Sequence, residues 1–171
     1  LTVKDHSVSK ESFDLYIDYE FQFLKTLPKP ELNHLESYYE SEDYISHTDS
    51  QKNFFEKTYQ LVRNVSLKQK RKLVSKLSNG KQILDIGCGT GDFLKELNLH
   101  GFQTTGFEPN SKAASIATQK GISLIEDYKK LPDATFDVIT MWHVLEHVYD
   151  LHEQIAELKR LIKPNGVIII A

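Results

Sequence analysis

The sequence predicts an α/β fold built on a parallel sheet, and three observations carry that prediction. After Gly80, short apolar runs ("QILDI", "FQTTGF", "GISLI", "FDVITMW" and "GVIII") alternate with amphipathic stretches, as strands alternate with helices in βαβ units. The first run leads straight into a glycine-rich turn, and an acid, Glu108, closes the second. The composition agrees, because 171 residues, 40% of them hydrophobic and 26% charged, suit one soluble domain with a real core and a small appendage.

The elements follow in order. The first fifty residues are rich in aromatics and acids, and Pro28 and Pro30 interrupt any helix, so this segment reads as an irregular or partly helical lead-in. From Gln51 the apolar positions Phe54, Phe55, Thr58, Val62 and Val65 recur at helical spacing. Residues 67–77 continue the pattern after an expected break at Ser66, giving two helices or one kinked helix that Asn79 and Gly80 stop. The boundary is therefore set between a lead-in with lid helices, 1–66, and a core, 67–171. Within the core, one helix runs from Asp92 to a stop at Gly101 and a second is capped by Ser111 and closes at Gly121. A third carries Val148, Leu151, Ile155, Leu158 and Ile162 on one face and ends near Pro164, Asn165 and Gly166.

Charge and cysteine content exclude several classes. A formal net charge of -3 gives no global pull toward nucleic acid or anionic membranes. The basic run Lys68, Lys70, Arg71, Lys72 and Lys76 reads as a solvated helix face, with Leu67, Val74 and Leu77 supplying the apolar side. A single cysteine, Cys88, leaves no pair for a disulfide and no multi-cysteine zinc site. The longest apolar run, residues 167–171, falls far short of the roughly 20 residues a membrane span needs, and the polar start is no signal peptide. The expectation is a cytoplasmic protein.

The chemistry concentrates at the end of the first core strand. In "LDIGCGTGDF", Gly87, Gly89 and Gly91 form G-x-G-x-G at a strand-to-helix turn, where missing side chains let the backbone bend tightly and touch a ligand. A dinucleotide fingerprint would place its third glycine at position 92, but Asp92 stands there and would set a negative charge where a pyrophosphate should rest. A ligand without phosphates is favoured. Glu108, 17 residues after Gly91, sits where a carboxylate can accept from both hydroxyls of a ribose.

As a set, "ILDIGCGTGDF", "GFEPN", "EDYKKLPDATFDVIT" and "LKRLIKPNGVIII" resemble the class I S-adenosylmethionine-dependent methyltransferases over residues 80–171. The resemblance implies a Rossmann-like, doubly wound parallel sheet of strand order 3-2-1-4-5, lacking the family's sixth and seventh strands, under an N-terminal helical lid. It implies S-adenosylmethionine as cofactor and S-adenosylhomocysteine as product. It places the methionine part on the loop of Gly87, Cys88, Gly89 and Gly91 followed by Phe93, with Asp85 organising the loop. Glu108 and Pro109 would meet the ribose, and Asp127 and Tyr128 the adenine. The lead-in is similar to that of a bacterial subgroup in which a zinc ribbon precedes a P-x-P stretch. Asp18 and Phe21 stand at two of its cysteine positions, so the metal should be lost, and Tyr44 and His47 would face the cofactor from a lid.

In "MWHVLEHVYD", His143, Glu146 and His147 have the H-x-x-E-H spacing of a zinc peptidase helix, but they begin at a strand end, with 24 residues left to supply a third ligand. The methyltransferase reading makes Trp142 and His143 the wall of the cofactor pocket. His143 is then the candidate base near the acceptor, and Glu146 and His147 fix the first turn of the next helix. The acceptor is expected to be a small molecule. A cofactor-binding module without catalysis and a zinc hydrolase stay open as alternatives. An uncovered apolar fifth strand would be a sticky edge, so self-association or a further segment is expected to cover it.

Overall fold

A computed structural model describes residues 1–6, 9–19, 22–29, 31 and 54–171. Phe21, Tyr44 and His47 lie outside these described residues. The chain divides into two compact units, Leu1–Lys57 and Thr58–Ala171.

Among the described residues, 2–27 form a three-stranded antiparallel sheet where an irregular or partly helical lead-in is expected. β1 (Thr2–Lys4) pairs with β2 (Ser12–Asp18), which pairs with β3 (Phe23–Leu27). The cause lies in the alternation of "SFDLYID", where Phe13, Leu15 and Ile17 point opposite to Asp14, Tyr16 and Asp18. Asp5 accepts from the Ser9 backbone N–H at 2.7 Å in the first connection, and Lys25 pairs with Asp18 across the hairpin. No described residue of these strands is buried.

A single uninterrupted helix, α1 (Phe54–Leu77), follows, with no break at Ser66. Ser66 is exposed, and nothing at that point removes a backbone hydrogen bond.

The second unit holds β4 (Gln82–Ile86), α2 (Asp92–Asn98), β5 (Gln103–Phe107), α3 (Ser111–Gln119), β6 (Phe136–Met141), α4 (Leu151–Leu161) and β7 (Ile162–Ile170). Its sheet has four parallel strands in the order β5-β4-β6-β7. The expected five-stranded order is not matched, because "GISLI" contributes only one parallel bridge, Gly106 to Leu124. The Gly106 N–H donates to Ser123 O and the Ile125 N–H to Gly106 O, both at 2.9 Å, and the chain then leaves the sheet.

Helices cover both faces of the sheet, as doubly wound sheets require. Alternation along the strands sends Ile83 and Val138 to one face, with Val74, Leu94, Leu97 and Phe102, and sends Leu84, Ile139 and Met141 to the other, with Leu158 and Leu161. Each such fully buried side chain contributes about 1.5–3 kcal/mol.

Three local boundaries differ from expectation. Asn110, not Ser111, caps α3, its side chain accepting from the N–H groups of Lys112 and Ala113. Glu146 and His147 belong to a single 3₁₀ turn, Leu145–His147, and Asp150 caps α4 by accepting from the Glu153 N–H. Finally, α4 stops at Leu161, and Lys163, Pro164, Asn165 and Gly166 loop out of register, since Phe136 faces Ile162 while Val138 faces Val167. Among the described residues no helix is long and apolar enough to cross a membrane.

Candidate functional site

The site forms at the carboxyl ends of β4, β5 and β6. At the end of β4 the chain turns at Gly87, and the N–H groups of Gly87 and Cys88 both donate to the Phe107 carbonyl, at 2.8 and 3.1 Å. This fastens the loop to the end of β5. Glu108, the next residue on that strand end, then takes the Gly89 N–H on Oε2 at 2.7 Å and the Asn110 N–H on Oε1 at 2.9 Å. The acid predicted at a distance in sequence thus lies directly against the glycine loop. Each of its oxygens has accepted one hydrogen bond and retains capacity for another. Gly89 has φ 55, and a Cβ built there would meet nothing within 4 Å, so the loop presents bare backbone to open space.

Asp85 is buried beneath this loop, 2% exposed, and faces Gly106 on one side and Thr140 on the other in the sheet register. The Thr140 hydroxyl donates to its Oδ1 at 2.5 Å. Burial pushes the Asp85 carboxyl up to about 7, against the Thr140 hydrogen bond and the positive charge of Lys70, while the charge of Glu108 adds to the rise. Cys88 is driven up to about 12 by burial and by the same two carboxylates. It therefore sits as a neutral filler, with its sulfur filling the space against Gly106.

The wall beyond β6 is Trp142, whose ring meets Phe93 edge-on at 5.7 Å. Its indole Nε1 is buried and finds no hydrogen-bond acceptor among the described residues. Lys70 of α1 lies over the same ring with Nζ 4.3 Å from the centroid. Neither Lys70 nor Arg71 is a plain solvated residue: Lys70 is half-buried, and Arg71 bonds Glu96 on α2 at 2.9 Å. No local pattern encodes this, because the contacts join segments far apart in the chain. Arg63 and Lys120 likewise converge on Asp92 at the start of α2.

After the bridge at Leu124, the Asp127 carboxylate accepts from the Lys129 N–H at 2.9 Å and caps the 3₁₀ turn Tyr128–Lys130. Tyr128 is buried, packs edge-on against Phe107 at 4.9 Å and donates its hydroxyl to Gln154 at 2.6 Å. Pro109 is exposed beside the loop. The structure therefore brings together Asp85, Gly87, Cys88, Gly89, Gly91, Phe93, Glu108, Trp142 and the Asp127 turn, and adds Lys70 and Asn110, with Gln154 behind Tyr128.

His143 follows Trp142 with φ 56, and its side chain is 81% exposed, 4.0 Å from Glu146. His143 and His147 do not share a helical face, because the segment between them is a 3₁₀ turn, so the geometry of H-x-x-E-H is not met. Among the described residues no group of three His, Cys, Asp or Glu is arranged to hold a metal ion.

Residues 54–171 match the family described as a methyltransferase domain. A ubiquinone biosynthesis O-methyltransferase of Pasteurella multocida is 33% identical over 111 residues, which is 54% of this chain and 46% of the relative. The chain thus spans about half the length of the curated relatives it matches. Among solved structures, a SAM-dependent methyltransferase of Thermotoga maritima is 26% identical with a TM-score of 0.52, over 66% of this chain and 55% of that one. The magnesium protoporphyrin IX methyltransferase of Synechocystis, solved with bound SAM, is 21% identical with a TM-score of 0.56 over 80% of this chain and 73% of that one, and so shares the fold.

Proposed function

The chain belongs to the methyltransferase-domain family of S-adenosylmethionine-dependent enzymes, and from that premise we propose that it transfers a methyl group from S-adenosylmethionine to a small-molecule acceptor. The observation that carries this reading is the Glu108 carboxylate bridging the N–H groups of Gly89 and Asn110. That bridge holds a ribose-type acceptor beside an exposed backbone turn. The cradle fits the cofactor: Gly89 is open where a ligand would touch it, and both Glu108 oxygens keep capacity for a vicinal diol.

In this reading the loop at Gly87, Cys88, Gly89 and Gly91 holds the methionine part, with Phe93 and Trp142 as its apolar wall. Asp85 meets the ammonium, and the charge of Lys70 stands near the carboxylate. Glu108, beside Pro109, binds the ribose, and Asp127 and Tyr128 meet the base. The bound cofactor supplies a sulfonium leaving group for an in-line displacement. The residues contribute orientation and exclusion of water, a positional effect that reaches about 7–11 kcal/mol in well-oriented systems. His143, exposed at the β6 end, is the imidazole that an acceptor hydroxyl would meet; a base matters only where the acceptor is weakly nucleophilic. The name of the Pasteurella relative, an O-methyltransferase, supports a small hydroxyl-bearing acceptor.

Titration calorimetry with S-adenosylmethionine and S-adenosylhomocysteine tests the proposal. The wild-type chain should bind both, and Glu108→Ala should bind each at least about tenfold more weakly, the scale of a lost charge-assisted hydrogen bond. Equal binding by wild type and variant, or binding by neither, would overturn it.

A further inference from the structure

The backbone of Lys129 joins two groups that the sequence separates widely. Its N–H donates to Asp127 Oδ1 at 2.9 Å, and its carbonyl accepts from Arg160 Nη2 on α4, also at 2.9 Å. The same guanidinium donates through Nη1 to Leu131 O at 2.6 Å and to Asp133 Oδ1 at 2.7 Å. Its remaining N–H groups, on Nε and Nη2, go to Glu157 one helical turn back, at 3.1 and 2.7 Å, which fixes the fork relative to the helix axis. One turn further along α4, Gln154 accepts the Tyr128 hydroxyl at 2.6 Å, and both side chains are more than nine-tenths buried. The backbone finishes the grip, with the Ala134 and Thr135 N–H groups donating to the carbonyls of Arg160 and Leu161 at 2.8 and 2.9 Å.

We infer that Arg160 and Gln154 are positioning residues for the base end of the cofactor, setting through α4 the orientation of the Asp127 carboxylate and the Tyr128 backbone that would read a purine. This rests on the methyltransferase reading given above. Neither residue touches the site itself. Arg160 acts through the Lys129 backbone, fixing its carbonyl and so the position of the residue whose N–H holds Asp127, and Gln154 acts through the Tyr128 ring, which packs edge-on against Phe107 immediately before Glu108. Two neutral carbonyls and one carboxylate on a single planar cation define the path of residues 129–133 more tightly than the exposed Lys129 to Glu153 pair, whose side chains are 46% and 57% exposed. A carboxylate aimed at an exocyclic amine distinguishes a 6-aminopurine from a 6-oxopurine, because the oxo group offers an acceptor where the amine offers a donor. The selectivity of the site for the base therefore depends on α4.

The test is calorimetric titration of wild type, Arg160→Ala and the double variant Tyr128→Phe with Gln154→Leu, using S-adenosylhomocysteine and its inosine counterpart, alongside thermal melts. Wild type should prefer the adenine ligand. Both variants should lose about tenfold in that preference while the methionine end still binds, and the double variant, which replaces a buried hydrogen-bonded pair by apolar groups of similar shape, should keep its melting temperature within a few degrees. A variant that binds both ligands with the wild-type preference, whatever its melting temperature, would overturn the inference and leave the clamp a purely structural one. If wild type binds neither ligand, the methyltransferase reading itself fails, and this inference falls with it.

Discussion

The ammonium of Lys70 lies 4.3 Å from the centre of the Trp142 ring, on a helix separated from that ring by more than half of the described core. Burial lowers the Lys70 pKa, and Asp85 opposes that fall. The two groups are therefore coupled across the loop, each favouring the charged form of the other. Lys70→Met should keep the stem's packing on Trp142 while removing the charge, and the Asp85 carboxyl should then rise further. Cofactor affinity near pH 7.5 is expected to fall about tenfold with little change in the urea midpoint, as measured by calorimetry and by fluorescence of the only tryptophan. Unchanged affinity would remove Lys70 from the site.

Asp85 predicts a pH dependence whose sign is fixed by its raised value of about 7. A carboxyl near 3.8 in the unfolded chain and near 7 when folded binds its proton more tightly in the folded state. Its contribution to stability is complete below the unfolded value and is lost as pH rises through the folded one. Between those values the slope reaches about 1.4 kcal/mol per pH unit for one group. Asp85→Asn should flatten the fall in stability between about pH 4 and 7 in urea titrations. A variant as pH-sensitive as wild type would assign the dependence to other groups.

How much of this was legible in the sequence depends on the range of the interaction. The glycine loop, the burial of the β4 and β6 alternation and the placement of Glu108 follow from local period and spacing, and all are present. The lead-in strands carried a readable signal, the alternation of Phe13, Leu15 and Ile17 with Asp14, Tyr16 and Asp18, which the nearby prolines and turn-formers obscured. The third core strand is shorter than the apolar run "GISLI" suggests. Its partner on β5 is polar at Gln103, Thr104 and Thr105, and the Asp127 cap draws the chain into a 3₁₀ turn after the single bridge at Gly106. The partners of Lys70, Arg160 and Gln154 were not legible at all, since no local pattern encodes a contact made only when helices close over the sheet.

The glycines of the loop separate binding from folding. A Cβ at Gly87 would stand 2.4 Å from Val144 Cγ2, whereas one at Gly89 meets nothing within 4 Å and suffers only the strain of φ 55. Gly89→Ala should therefore cost about 1 kcal/mol of stability, and Gly87→Ala about 2–3 kcal/mol because overpacking adds to the strain. Binding should show the opposite selectivity, with Gly89→Ala the more damaging variant per unit of stability lost. Chemical denaturation and ligand titration on the same two proteins decide it, and parallel losses in both measurements would contradict the assignment of Gly89 as the ligand-facing position.

Asp92, the residue that replaces a third glycine, gives the last prediction. It accepts from Lys120 at 2.8 Å, from Thr90 at 2.7 Å and from Arg63 of α1, and it stands in the first turn of α2, where the helix dipole favours a negative charge. Burial pushes its carboxyl up, but the Lys120 and Thr90 hydrogen bonds and the Arg63 and Lys120 charges outweigh that, and the net shift is downward. The sign is opposite to that of Asp85: the stabilisation is present above the unfolded carboxylate value and is lost as pH falls through the lower folded one. Asp92→Asn should destabilise the fold by about 1–3 kcal/mol at pH 7, because two cations lose their shared partner, and by much less near pH 3. Urea denaturation of wild type and variant at the two pH values measures the difference. A penalty that did not shrink on acidification would show that Asp92 acts through the shape of the turn, and that the charge pairing across Arg63, Asp92 and Lys120 contributes little to holding α1 against the loop.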